Sequence, residues 1–252
     1  MESKFLFAQE VIKEAGAFIK ERMSQEFVIE EKADETDLVT SLDKQCQELM
    51  IQAIKKAYPE DHFLAEENDV THPIAEGNVW VLDPIDGTVN FIAQRDHFAI
   101  MIAYYENGVG QFGLILDVMQ DILYHGGGQF DVYANTTKLE HYHHRDFKRC
   151  LVGVNAQMYL ENTAGIRDFT SLALGIRVYG GAGISMTQVI SGKLLAYFSN
   201  IAPWDYAAAS IMGEKLGYCL LTIEGEKPDF LTRQQVMFVP TEELSVIQKL
   251  VN

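Results

Sequence analysis

The sequence predicts a mixed α and β protein in two halves, and three observations carry that reading. Residues 98 to 137 read as successive antiparallel strands punctuated by turn residues, and from about Arg149 onward strand-like and helix-like segments alternate. Ahead of both lie two helical patterns. The halves are drawn at 1–147, an α+β half, and 148–252, an α/β half.

Taken in order, Phe5, Ala8, Ile12, Ala15 and Ile19 recur at helical intervals with charges between them, which predicts an amphipathic first helix. Acids and lysines interrupt any apolar core there, so the segment is not a signal peptide. "FVIEEKADETDLVTSLD" starts like a strand and runs into a polar loop, and "KQCQELMIQAIKKAYP" is helical until Pro59 stops it. "HFLAEEN" and "NVWVLDPIDG" are short strands that both end in acids. In the antiparallel stretch Asn107-Gly108 is a strong hairpin signal, and Gly126 to Gly128 marks a second turn. "CLVGVNA", "IRVYGG" and "LLAYFSN" then alternate with helices near "AGIRDFTSLALG", "ISMTQVISGK" and "WDYAAASIMGEKLG". After Glu224 come short strands and a helix begun by Thr241, with acids in its first turn.

With 36 acids against 20 bases the net charge is −16, which disfavours nucleic acid and anionic membranes and suits divalent cations. No apolar run approaches the roughly 20 residues that span a bilayer. Cys46, Cys150 and Cys219 are odd in number and form no C-x-x-C pair, so they point to a reducing, cytoplasmic compartment. Three patterns are set aside. "GVGQFG" matches G-x-G-x-x-G, but β-branched and aromatic residues on both sides make it a hairpin. "HYHHR", with His141, His143 and His144, reads as a solvated loop or edge, and "NTT" at Asn135 has no meaning as a sequon in the cytoplasm. Cys150 and Cys219 lie among apolar residues and read as buried small hydrophobes.

The chemistry concentrates in "WVLDPIDGTVNF", where an apolar strand ends in Asp83 and Asp86 around Pro84. Two carboxylates so close repel each other, and a cation held by both would offset that cost. Hard divalent cations take several oxygen ligands, and Mg2+ in particular combines a few carboxylates with phosphate oxygens and water. Glu66 with Glu67, and Asp205 in "PWDYAAA", also sit at the ends of apolar segments, and strand ends of one sheet can converge on one edge. The carbonyl of Ile85 is a further oxygen ligand, while Gly87 and Thr88 can present backbone N–H groups to an anion at a helix start. A metal and a phosphate would meet at one corner.

At these residues the chain resembles the inositol monophosphatase family, in the wider lithium-sensitive, magnesium-dependent sugar-phosphatase superfamily that includes fructose bisphosphatases. "KADETDLVTSLD", "FLAEEN" and "APWDYAAAS" agree with that family in order, so the match runs from about residue 32 to 217. The resemblance implies a five-layer αβαβα sandwich, usually dimeric, with the metal site between the halves. The N-terminal half would carry most metal ligands, and the C-terminal half Asp205 and substrate recognition. It further implies that Glu66, Asp83 and the carbonyl of Ile85 hold a first metal, and Asp83, Asp86 and Asp205 a second. A weaker third would lean on Glu66. Asp43 would orient Thr88, which with Glu66 positions the attacking water. Asp86, Gly87, Thr88, Gly181, Ala182 and Asp205 would contact substrate or phosphate, and Lys32 matches a lysine on a loop near the site.

The implied cofactor is Mg2+, two to three per site, with Mn2+ as a substitute and Li+ or Ca2+ as inhibitors. The charge sum agrees: four carboxylates and a phosphate monoester of roughly −2 are neutralised by about three divalent ions. The implied partner is a small phosphorylated substrate. Glutamate stands about seven residues before the "WD" aspartate in inositol phosphatases, whereas this chain has Phe198, Ser199 and Asn200 there. "YGGAG" places Gly181 where the family has threonine, and a serine-rich turn becomes "VNAQM" around Gln157. The metal and phosphate machinery is complete and the alcohol-recognition half is altered. The expectation is a Mg2+-dependent phosphatase of a small phosphomonoester. Its alternatives are a bisphosphatase, an NADP or 3'-nucleotide phosphatase, and a non-catalytic relative that binds Mg2+ or phosphate.

Overall fold

The computed structural model describes residues 1–23, 29–31, 38–68 and 70–251. Its elements run α1 (Glu2–Arg22), β1 (Ile29–Glu31), β2 (Leu38–Thr40), α2 (Ser41–Ala57), β3 (His62–Ala65), β4 (Asn78–Asp86), α3 (Thr88–Gln94), β5 (Ala99–Glu106), β6 (Val109–Asp117), β7 (Ile122–Gly127), β8 (Phe130–Ala134) and β9 (Thr137–Lys138). They continue through β10 (Leu151–Val154), α4 (Ala156–Glu161), α5 (Ile166–Thr170), β11 (Gly175–Arg177), α6 (Ala182–Ile190), β12 (Tyr197–Ile201), α7 (Pro203–Lys215), β13 (Tyr218–Thr222), β14 (Gln234–Pro240) and α8 (Leu244–Leu250). Among the described residues β3 to β9 form a seven-stranded sheet in chain order, and a five-stranded sheet runs β11-β10-β12-β14-β13.

The apolar periodicity dictates the layers. Along β4, β5 and β6 both faces are buried: Trp80, Leu82, Ile100, Ile102, Tyr104, Phe112 and Leu114 pack under α1 and α2, while Val79, Val81, Met101, Ala103 and Ile115 face α6 and α7. A strand with helices on both sides reads as an unbroken apolar run, as "WVL" and "AIMIAYY" do. Helices α6 and α7 lie between the sheets, and α4, α5 and α8 cover the outer face of the five-stranded one. The result is the αβαβα sandwich expected from the resemblance. Among the described residues no helix is long and apolar enough to cross a membrane.

The glycines of "GVGQFG" divide between turn and packing. Asn107 and Gly108 take positive φ (48° and 81°) in the β5–β6 turn. Gly113 lies in β6, where a Cβ would come within 2.2 Å of the Ala208 carbonyl oxygen in α7. Close approach of helix to sheet therefore requires glycine at that position. The second predicted turn is shorter than expected, since Gly126 and Gly127 belong to β7, and a further turn at 118–121 separates β6 from β7. The helix predicted near 164–175 is broken: Ala164 has φ 48°, and α5 covers only Ile166–Thr170. Cys150 is buried as expected, but Cys219 is only partly so.

The histidine stretch has a structural partner in part. His144 Nδ1 lies 2.5 Å from Oε1 of the buried Glu243, which also accepts from the Tyr142 hydroxyl at 3.0 Å. Hydrogen bonding and attraction to Glu243 raise the His144 pKa above 6.5. Because the folded value exceeds the unfolded one, the charged pair's stabilisation is present below about pH 6.5 and is lost as pH rises through the folded value. The difference in melting temperature between wild type and His144→Ala is therefore expected to shrink from about pH 6 to about pH 9. A difference that holds constant or grows would show that the pair's charge contributes nothing.

Candidate active site

The spacing of "DPID" is explained by a break in the strand ladder. On a regular strand, residues 83 and 86 point to opposite faces. Here Asp83 pairs with Met101 and Asp86 with Ala99, so three residues of β4 span two of β5, and the resulting bulge turns both carboxylates toward the space between the sheets. Pro84 suits the bulge because it has no N–H to lose from the ladder. Ile85 sends its side chain into the opposite core. Glu66 directly follows β3, and its N–H donates to the Leu82 carbonyl at 3.3 Å. Beside it the Glu67 backbone is pinned by Gln47, whose amide nitrogen donates to the Glu67 carbonyl at 2.6 Å and whose amide oxygen accepts from the Glu67 N–H at 2.8 Å.

Asp205 arrives from another layer. It lies in the first turn of α7, at the start of the helix expected from "WDYAAASIMGEKLG", and its Oδ2 accepts from the Ala202 N–H at 2.8 Å. The partial positive charge of a helix start favours a carboxylate there. Asp86 caps a second helix: its oxygens accept from the N–H groups of Ala182 (2.9 Å) and Gly183 (2.8 Å) at the start of α6. Gly181 permits this approach, since a Cβ there would lie 2.8 Å from Asp86 Oδ2. Asp83, Asp86 and Asp205, all buried, each place a carboxylate oxygen within 4.8 Å of the others.

Electrostatics mark this cluster as incomplete without a cation. Burial, followed by repulsion from Glu66, Asp86 and Asp205, holds the Asp83 pKa well above the usual carboxylate range. Burial and Asp205 push Asp86 up to about 7, against the lowering effect of its two amide donors. Asp83 Oδ1 accepts from the Ile85 N–H at 3.1 Å, whereas Oδ2 is buried without a hydrogen-bond partner. An orphaned anionic oxygen amid three other carboxylates is a poor protein interior and a suitable oxygen site for Mg2+. The residues present therefore fit the group.

The Thr88 hydroxyl faces two acceptors, Asp43 Oδ1 at 3.3 Å and the Ile85 carbonyl at 3.1 Å. Asp43, in the first turn of α2, is buried. Gly87 has φ 85°, a left-handed conformation that lets the chain turn from β4 into α3. All these residues line or adjoin a cleft of about 560 Å³ that also takes in Asn155, Gln157, Glu161, Gly181, Ala182, Asn200, Arg233 and Gln235.

Not every sequence-predicted position contributes as expected. Ala182 lines the cleft, but its N–H is occupied by Asp86. Phe198 does not face the alcohol side at all: it is fully buried, with its ring 5.5 Å from that of Phe169 in α5. Ser199 and Asn200 line the cleft in its stead. Lys32 lies outside the described residues. Sequence reasoning missed Asn90, whose amide nitrogen donates to the carbonyls of Tyr179 (2.6 Å) and His97 (3.0 Å) and so fastens the 179–183 turn to the corner carrying Gly87. Its place in "DGTVN" was the available signal. Arg233 carried none.

The model of the inositol monophosphatase family matches residues 1–251. Inositol-1-monophosphatase of Bacillus subtilis (strain 168) is 38% identical over 237 residues, covering 91% of this chain and 89% of its own. The crystal structure of an IMPase/NADP phosphatase complexed with Mg2+ and phosphate superimposes with a TM-score of 0.91 at 26% identity, covering 100% of this chain and 95% of that one. Staphylococcal inositol monophosphatase-1, as a LiCl-soaked inhibitory complex, gives the same TM-score, identity and coverage. The chain belongs to the inositol monophosphatase family and is a metal-dependent phosphomonoesterase.

Proposed function

We propose that the protein hydrolyses small phosphomonoesters with Mg2+ bound among Glu66, Asp83, the Ile85 carbonyl, Asp86 and Asp205. The observation that carries this reading is the buried Asp83 oxygen with no hydrogen-bond donor, set among three further acids. The half before residue 148 supplies Glu66, Asp83 and Asp86, and the half after it supplies Asp205. Bound Mg2+ supplies Lewis-acid stabilisation of the leaving oxygen and makes water a better nucleophile.

The chain's own groups do the rest. A hydroxyl has one proton to donate, and Thr88 directs it at Asp43 or the Ile85 carbonyl, leaving its lone pairs to accept from a water. Glu66, on the neighbouring strand end, is the second group placed to orient that water. Backbone N–H groups at Gly87 and Thr88 bind the transferred phosphate. No protein nucleophile is required.

Activity is expected to need Mg2+ and to disappear with a chelator. The alcohol is read less narrowly. With Phe198 buried and neutral Asn200 and Gln235 on that wall, no carboxylate stands at the family position to accept from ring hydroxyls. A site without such a partner discriminates weakly. Inositol 1-phosphate is expected to be no better than several other small phosphomonoesters. A preference above about a hundredfold in kcat/KM across a panel would show that another residue replaces the missing acid.

A further inference from the structure

Arg233 is the one basic residue lining the cleft among the described residues, against the acids Glu66, Asp83, Asp86, Glu161 and Asp205. It immediately precedes β14, on the wall formed by β12 and β14 that carries the alcohol-facing residues, and its Nη1 donates to the Asn200 carbonyl at 3.1 Å. A built loop holds it there. Asp229 accepts from the N–H groups of Leu231 (2.7 Å) and Thr232 (3.0 Å), and the Phe230 ring lies edge-on to Tyr206 at 5.1 Å and Tyr105 at 5.5 Å.

Its protein partner is a weak one. The guanidinium stands 3.9 Å from Asp205 Oδ2, with its side chain about half exposed, an arrangement worth little as an ion pair. Asp205 already accepts from Ala202 and is read as a metal ligand, so its charge is spoken for once a cation binds. Nor is Arg233 needed for the transferred phosphate, which the Gly87–Thr88 corner serves. That leaves most of a planar five-donor fork facing the alcohol half of a substrate. Asn200 and Gln235, exposed and paired directly across β12 and β14, extend it with neutral polar groups.

We propose that Arg233, with Asn200 and Gln235 beside it, forms a subsite for a second anionic group, a carboxylate or a second phosphate, carried on the alcohol half of the substrate. This rests on the phosphatase reading and narrows its substrate class. The test compares kcat/KM with Mg2+ for two matched pairs: 3-phosphoglycerate against glycerol 3-phosphate, and fructose 1,6-bisphosphate against fructose 1-phosphate. Wild type is expected to favour the extra anion in at least one pair, the pair identifying which anion. Arg233→Gln should cut that preference roughly tenfold, the scale of a hydrogen bond to a charged group, and Arg233→Lys should fall between. Added salt should narrow the wild-type ratio, a measurement that stands even where Arg233→Gln fails to fold. A wild type that favours the less charged member of both pairs, or a ratio unmoved by the substitutions or by salt, overturns the subsite and leaves the phosphatase intact. Turnover of inositol 1-phosphate in the same assay with none of the four compounds hydrolysed overturns the subsite alone, and absence of turnover with all five overturns the Mg2+-phosphatase reading on which it rests.

Discussion

Asp83→Asn is expected to abolish turnover and, in the absence of metal, to make the protein more heat-stable. Both effects follow from one carboxylate. Its charge is repelled by Glu66, Asp86 and Asp205 in a buried site, so removing it relieves strain in the folded state. Asparagine is nearly isosteric and its oxygen can still accept from the Ile85 N–H. For a chain of this size each kcal/mol gained raises the melting temperature by about 2–4 °C. Turnover falls because the residue read as bridging two metals loses its charge toward both, and several kcal/mol of lost transition-state stabilisation is at least about a thousandfold in rate. Saturating Mg2+ should stabilise wild type by about 2.7 kcal/mol at a hundred times its Kd, and the variant by less. Calorimetry with chelator, calorimetry with Mg2+ and a rate assay decide the matter. Near-normal turnover, or a lower metal-free melting temperature, would falsify the reading of Asp83.

Thr88→Ala is expected to separate metal binding from chemistry. The hydroxyl is directed at Asp43 and the Ile85 carbonyl and is not read as a metal ligand, so the Mg2+-induced rise in melting temperature should survive. The rate should not. Positioned proton transfer contributes about 10²–10⁴-fold, and that factor should leave kcat. If the loss instead falls on KM alone, Thr88 binds substrate and does not orient water.

Much of this site was legible because its acids are local. Asp83 and Asp86 announce themselves within four residues, and a proline between two acids at the end of an apolar run has few other uses. The bulge that turns both to one face was not legible, since it depends on how β4 registers against β5. Asp205 was legible both as a residue and as the start of the helix read in "WDYAAASIMGEKLG", but its nearness to Asp83 came only from the family resemblance, because it depends on α7 packing against β4 and β5. Phe198 was assigned to the cleft by counting back from the "WD" aspartate, and counting does not show how far α5 covers β12: Phe198 packs on Phe169, while Asn200, two residues on along the same face, is exposed. Arg233 stood in no motif: it reaches the cleft only because β14 pairs with β12. The layers came from the family resemblance and not from a pattern read in the chain itself, and the kink at Ala164 carried no warning in "NTAGI".

Asp86 and Asp83 differ in what the fold would lose without them. Asp86 holds the first turn of α6 through two amide hydrogen bonds, so a lineage that gave up hydrolysis would still be under pressure to keep it. Asp83 is a burden to an unliganded fold, and asparagine would serve its one hydrogen bond as well. In a descendant drifting toward a purely regulatory life, position 83 should be among the first to change and position 86 among the last. For telling living enzymes from their retired cousins, the aspartate before the proline is therefore the more informative of the two.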